Sequence, residues 1–329
     1  MKMGLEVRAS RFQRSEYTHM ELSLLLMQQI IKLFIMIFMG YLIVKVGILR
    51  SEDSRVLSAM VLYLIVPCVI INAFQVEYSP EKASGLFLAF VASLILMFVT
   101  LPAVNLVGRL LKLNEVERTS VYYSNAGNLI IPLVTFILGE EWVLYACVYM
   151  SLQIIFFWTH CKKELSREKG IDLKKIFTNI NIIVVVIAVT LFFMRIRLPK
   201  LLTETFSSVS GMVGPVSMFI IGMLMAGADL KKIFKNKRAY LVTGLRLIAV
   251  PVFSLLILKL SRLVGFHTEG RQILLIVFLA VTTPAASTVT QMSQLYGNDS
   301  EYASAIGVLT TLASVITMPL MVLLFQSVI

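Results

Sequence analysis

Enzyme chemistry has little to work with in this sequence. The three histidines, His19, His160 and His267, are far apart, and the three cysteines, Cys68, Cys147 and Cys161, lack the spacing of a metal or redox site. There is no metal-binding histidine pair, no paired aspartate and no helical glutamate near a histidine. An enzyme is not expected, nor is any metal or cofactor. The polar groups that could act on a ligand sit in two stretches of otherwise apolar chain. One runs Tyr122-Tyr123-Ser124-Asn125-Ala126-Gly127-Asn128-Leu129-Ile130-Ile131-Pro132. The other runs Ala280-Val281-Thr282-Thr283-Pro284-Ala285-Ala286-Ser287-Thr288-Val289-Thr290-Gln291.

The chemistry these stretches suggest is anion binding by backbone. Proline lacks an amide donor and crowds the turn before it, so a helix is expected to break ahead of Pro132 and of Pro284. Thr283-Pro284 reads as an N-cap followed by proline at the first helical position. A half-helix that begins there offers free N–H groups and about half a positive charge. The candidate substrate-binding residues are Asn125, Gly127, Asn128 and Pro132, with Thr282, Thr283, Pro284, Ser287, Thr288 and Gln291. The plainer reading of the same residues is helix–helix packing by small and polar side chains. Lys32 and Arg246 fall inside apolar segments and are candidate charge partners for a carboxylate. Alternatively, their long side chains reach the lipid head groups.

The elements that must position these residues are membrane helices. The chain has 329 residues, 58% of them hydrophobic and 15% charged. Leu86–Leu101, Ile180–Phe193 and Leu312–Phe325 carry no charge. About 20 apolar residues cross a bilayer as a helix. The expected fold is an all-α membrane protein with ten spans, near 22–45, 55–75, 85–107, 118–137, 141–160, 180–196, 204–229, 239–260, 270–294 and 302–327. Residues 1–19 are polar and basic, and read as a tail or a start codon assigned too early. The net charge of +11 is explained by loops rather than by nucleic acid. One set of loops holds 17 Lys and Arg against 7 on the other side beyond the first 19 residues. Basic loops stay cytoplasmic, so both termini are expected outside a bacterial cytoplasmic membrane.

The prolines imply a duplication. Pro67, Pro102 and Pro132 precede Pro215, Pro251 and Pro284 by 148, 149 and 152 residues. Each pair falls in equivalent spans of two five-helix units, residues 20–160 and 180–329, joined by a charged cytoplasmic loop, 161–179. Five is odd, so the second unit inserts upside down. Inverted repeats with interrupted helices are typical of secondary transporters.

At these residues the chain resembles the auxin efflux carrier family, in a bacterial branch with malate and malonate permeases. Ser124-Asn125-Ala126-Gly127-Asn128 through Ile131-Pro132-Leu133 is similar to that family's Asn-x-Gly-x-x-x-x-Pro signature in the fourth helix. Gly40-Tyr41-Leu42, Tyr63-Leu64 with Pro67, Arg246-Leu247 with Pro251, and Gln294-Leu295-Tyr296-Gly297 through Pro319 are similar too. The resemblance runs from about Met20 to the C-terminus. It implies crossing broken helices, spans 4 and 9. It also implies a scaffold of spans 1, 2, 6 and 7 with the other six mobile in an elevator-like motion. Asn128-Leu129-Ile130 departs from many bacterial relatives, so no relative's substrate is carried over.

The expected function is a secondary transporter, an efflux carrier or permease, for a small organic anion, a carboxylate. The coupling ion, proton or sodium, is open, and a homodimer through the scaffold helices is a candidate assembly. The rival readings are a sodium-coupled symporter of the bile-acid type and a channel or sensor on a transporter-like fold.

Overall fold

The computed structural model of the protein describes residues 19–166, 177–228 and 235–329. The reading of residues 1–19 falls, apart from His19, outside the described residues, as does the centre of the 161–179 loop. The protein is nearly all helix, with no strand among the described residues. In chain order the helices are α1 (His19–Lys45), α2 (Ser51–Ala73), α3 (Pro80–Leu110), α4 (Glu115–Tyr122), α5 (Ala126–Ile137) and α6 (Glu140–Ser166). They continue with α7 (Ile180–Phe193), α8 (Lys200–Gly227), α9 (Lys237–Ser261), α10 (Gly270–Thr282), α11 (Ser287–Leu295) and α12 (Ser300–Val328). Among the described residues six of these, α2, α3, α6, α8, α9 and α12, are long and apolar enough to cross a membrane.

Local sequence explains where these helices start and bend. Ser79 caps α3, its hydroxyl accepting from the Lys82 amide at 3.1 Å, with Pro80 next and Glu81 in the first turn. Proline clashes with the carbonyl four residues back. In α2 and α9 a widened π turn takes up that clash: Val61–Ile65 lies ahead of Pro67, and Leu245–Ala249 ahead of Pro251. In α8 the helix is interrupted at Gly211 and Met212, just ahead of Pro215. A third π turn, Phe157–Cys161, sits in α6, which runs on to Ser166 rather than ending near residue 160.

Lipid is as apolar as leucine, so close backbone approach has to supply much of the helix–helix attraction. α1 and α8 meet this way. A Cβ on Gly222 would overlap the Ile37 carbonyl, and one on Gly40 would overlap the backbone of Phe219. α2 packs on α8, and α7 packs on α2. The remaining helices gather around α5, α10 and α12, and the two groups meet where α5 and α12 lie against α1 and α8. That seam is mostly apolar, lined by Leu33, Ile37, Leu129, Leu133, Met218 and Met318, with Thr311 and Ser314 bonded back within α12.

Two expectations are corrected here. Pro132 lies inside α5, six residues after the helix begins, and not at its start. It faces Gly214 of α8, whose Cβ position would be 3.1 Å from the proline ring. Thr283 is not an N-cap: it ends α10, and α11 is led by Ala286. The Thr283 hydroxyl turns back to the Ala280 carbonyl at 3.0 Å, closing the outgoing helix.

Candidate functional site

Two unwound segments, 123–125 and 283–286, lie side by side in the protein. The Asn125 amide donates to the Pro284 carbonyl at 2.8 Å, and the Ala286 amide donates to the Tyr123 carbonyl at 3.1 Å. Ser124 and Ala285 thus form an isolated antiparallel bridge. Backbone leaving helical geometry in a buried place must find partners, and here each segment supplies them to the other. Because the bridge is antiparallel, α5 and α11 leave it in opposite directions, each starting within two residues of the bridged pair.

Each segment is also held from the side by the helix that follows its half of the chain. In the first, Gln153 of α6 makes a reciprocal pair with Ser124. The Ser124 hydroxyl donates to Gln153 Oε1 at 2.7 Å, and Gln153 Nε2 donates to the Ser124 carbonyl at 2.5 Å. In the second, the Ala285 amide donates to the Thr310 hydroxyl of α12 at 3.1 Å. Both side chains are buried. Gln153 has a sequence signal, as the one amide side chain in the apolar 141–160 span. Thr310 has none, because a threonine can simply bond back to its own helix.

Arg246, in the π turn of α9, fills the other side of the crossing. Its side chain is 1% exposed. Nη1 donates to the carbonyls of Val121 and Tyr122 at 3.1 and 3.2 Å. Nη2 donates to Val281 at 2.5 Å and to Thr283 at 3.0 Å, and Nε to Thr283 at 3.1 Å. A guanidinium has five N–H donors, and all five go to carbonyls that α4 and α10 leave unpaired at their C-termini. Each such end carries about half a negative charge. One arginine therefore neutralises the two ends together. In this conformation it has no donor left for a carboxylate and does not reach the head groups.

The other sequence candidates are placed as follows. Asn125 is buried at the bridge, and Thr282 and Thr283 are buried beside it. The Thr282 hydroxyl donates back to Leu279 at 2.8 Å. Gly127 and Asn128 occupy the first turn of α5, and the Asn128 side chain is outside the described set. A Cβ at Gly127 would have nothing nearer than a methionine methyl at 4.0 Å, so there is room beside that turn. Ser287 and Thr288 form the first turn of α11 and are half-buried, while Gln291 is exposed. Pro132 is away from the bridge, against α8, and Lys32 is exposed on α1. Among the described residues no three His, Cys, Asp or Glu side chains are grouped to hold a metal ion.

A second polar cluster, missed in the sequence, lies at the basic face. The Glu117 side chain, 1% exposed, accepts from Arg238 Nε and Nη2 at 2.7 and 2.9 Å. It also accepts from the Tyr302 hydroxyl at 2.9 Å and the Asn114 amide at 2.9 Å. It thus joins the starts of α4, α9 and α12. Burial opposes ionisation of this carboxyl, but the Arg238, Asn114 and Tyr302 hydrogen bonds outweigh it and hold the pKa below the usual range. In sequence Glu117 looks like one more charge at a loop, since its partners are 121 and 185 residues away.

The chain matches the family described as "Membrane transport protein" over residues 25–170 and 164–322. No individual curated protein matches it. The match covers most of the chain, which therefore belongs to that family, the auxin efflux carrier family that its fourth-span motif resembles. It is a multi-pass membrane transport protein, and members of the family are transporters rather than enzymes.

Proposed function

We propose that this chain, as a member of that family, is a secondary transporter of a small organic anion, a carboxylate, working by alternating access of elevator type. The observation that carries the reading is the backbone bridge at Ser124 and Ala285, from which two half-helices leave in opposite directions. The first-turn amides of α5 and α11 then supply positive potential without a basic side chain. Asn125, Gly127, Asn128, Ser287 and Thr288 are the residues proposed to line the anion site. Thr282, Thr283 and Pro284 shape it, and Gln291 and Pro132 flank it at a distance. Lys32 is kept as a proposed charge partner, and Arg246 as the group that frees the site from opposing dipoles.

In this reading α4 with α5 is the fourth of ten spans, and α10 with α11 the ninth. The two five-span units are inverted repeats. Support comes from the proline offsets and from Gln153 and Thr310, each reaching from the fifth span of its own unit to its own unwound segment. The mostly apolar seam between α1–α8 and α5–α12 suits one body sliding past another. Both termini are placed outside the cytoplasmic membrane by the basic loops.

The test is counterflow in proteoliposomes, preceded by a thermal-shift screen of dicarboxylates, monocarboxylates and indole acids. Saturable counterflow of one of these anions is the expected result. Non-saturable flux would mean a channel, and no flux of any organic anion would overturn the substrate class. Impermeant thiol labelling of cysteines introduced at 170 and 329 checks orientation: from outside, 329 is expected to react and 170 is not.

A further inference from the structure

A cavity of about 380 Å³ opens between the 74–80 linker, which joins α2 to α3, and the end of α7. Two voids among the described residues, one beside Arg246 and one at the seam, are about 10 Å³ each. Sites for small ligands are usually about 300–1,000 Å³, so this cavity is large enough for one and those voids are not. Its inner wall is aromatic. Phe74 meets Phe192 edge-on at 6.2 Å between ring centres, and Tyr78 lies 5.3 Å from Phe192. Its charged lining residues are Glu77, Arg195 and Arg197, which leave one net positive charge.

Arg195 stands where glycine would be expected. α7 ends with the Arg195 amide donating to Phe192 at 3.1 Å and the Ile196 amide to Leu191 at 2.9 Å. This is the helix stop whose left-handed residue is usually glycine. Arg195 takes that conformation at φ 58°, which costs energy that glycine would not. The guanidinium lies over the Tyr78 ring at 4.7 Å. Arg197 donates to the Gln75 carbonyl and the Leu198 amide to Gln75 Oε1, so the two linkers are tied and the cavity has a fixed floor.

The cavity sits where α2 and α7 end and α3 begins. Phe193 and Met194, next to it in sequence, are 51% and 64% exposed, which continues an apolar surface from the helix to the rim. We propose that it binds the head group of an anionic phospholipid. Arg195 and Arg197 take the phosphodiester, and Tyr78 and Phe192 lie against the glycerol. The single net positive charge of the lining matches a single phosphodiester negative charge, and a guanidinium suits phosphate oxygens because it can offer them paired N–H donors. This site is separate from the bridge between the unwound segments and does not rest on the transport reading.

The experiment uses the full chain purified in detergent, with phosphatidylglycerol, phosphatidylcholine or glycerol phosphate added. Melting temperature and lipid retention in native mass spectrometry are the readouts. Phosphatidylglycerol is expected to stabilise the protein and remain bound, with little effect from the other two. Arg195→Gly should fold at least as well, because glycine suits the backbone there, yet need roughly tenfold more phosphatidylglycerol for half the shift. Arg195→Gln keeps a polar side chain without the charge and serves as the second variant, with the same loss expected. An undiminished shift in both variants would overturn the site. Equal stabilisation by phosphatidylcholine would overturn the anionic preference, and equal potency of glycerol phosphate would overturn the lipid as its source.

Discussion

The Arg246 guanidinium donates to the Thr283 carbonyl through both Nε and Nη2, at 3.1 and 3.0 Å, and holds Val121 and Tyr122 from the other helix end at the same time. A charge that looks ligand-directed in the sequence thus ties the C-termini of α4 and α10 together. Lysine has three donors on a point charge and cannot reproduce a planar fork. Arg246→Lys is expected to fold with a clearly lower melting temperature. Arg246→Met should lose stable protein altogether, since each carbonyl left buried without a partner costs about 1–3 kcal/mol. If Arg246→Lys instead keeps its melting temperature and changes substrate affinity, the arginine contacts substrate and the clamp is secondary.

Pro284 tests the interruption itself. It donates nothing, and its carbonyl receives the Asn125 amide. Alanine restores an amide and favours continuing α10 into α11, which would remove the free first turn of α11. Pro284→Ala is expected to insert and fold, with transport slowed roughly tenfold, equivalent to about 1.4 kcal/mol on the barrier. Transport at the wild-type rate in proteoliposomes would reduce the break to a packing detail.

Asn128 separates binding from support. It lies in the first turn of α5, three residues after Asn125. As a ligand contact, Asn128→Ala should weaken anion binding while the unliganded melting temperature stays near wild type. As a backbone partner, its loss should lower the melting temperature, by the about 1–3 kcal/mol cost of an unsatisfied buried group. Wild-type affinity on a destabilised protein would remove Asn128 from the site.

What was legible in the sequence follows from range. The apolar runs and a break near Thr283-Pro284 are set by neighbours in the chain. The start of α5 is not. Its position is fixed by pairing with 284–286 and by Arg246 on the Val121 and Tyr122 carbonyls, so the break falls at 123–125 and Pro132 is absorbed within a helix. Gln153 was within reach of the sequence, since a lone amide in an apolar span needs a reason. Gln153→Leu is expected to destabilise by about 1–3 kcal/mol and to slow transport, because Ser124 then loses both its hydrogen bonds to α6. Gln153→Asn is too short to span both bonds and should recover neither. Full transport in Gln153→Leu would show that the bridge holds its shape unaided.

Glu117 gives the protein a pH-dependent term at its basic face. The carboxylate is buried and held charged by Arg238, Asn114 and Tyr302, which keeps its folded pKa below the ordinary carboxylate range. A depressed folded pKa contributes stability that is fully present above the unfolded pKa, about 4.3 for glutamate. That contribution fades as pH falls through the lower folded value. Glu117→Ala removes the carboxylate and leaves the Asn114 amide and the Tyr302 hydroxyl without that acceptor, a loss of about 1–3 kcal/mol, while the partly exposed Arg238 is hydrated and keeps the Leu111 and Lys112 carbonyls. At neutral pH the variant should therefore melt well below wild type. The gap should hold down to about pH 5 and narrow below about pH 4, as wild type loses what the variant never had. A gap that stays constant from pH 7 to pH 3, by thermal shift in detergent, would mean that Glu117 acts through shape and not through charge.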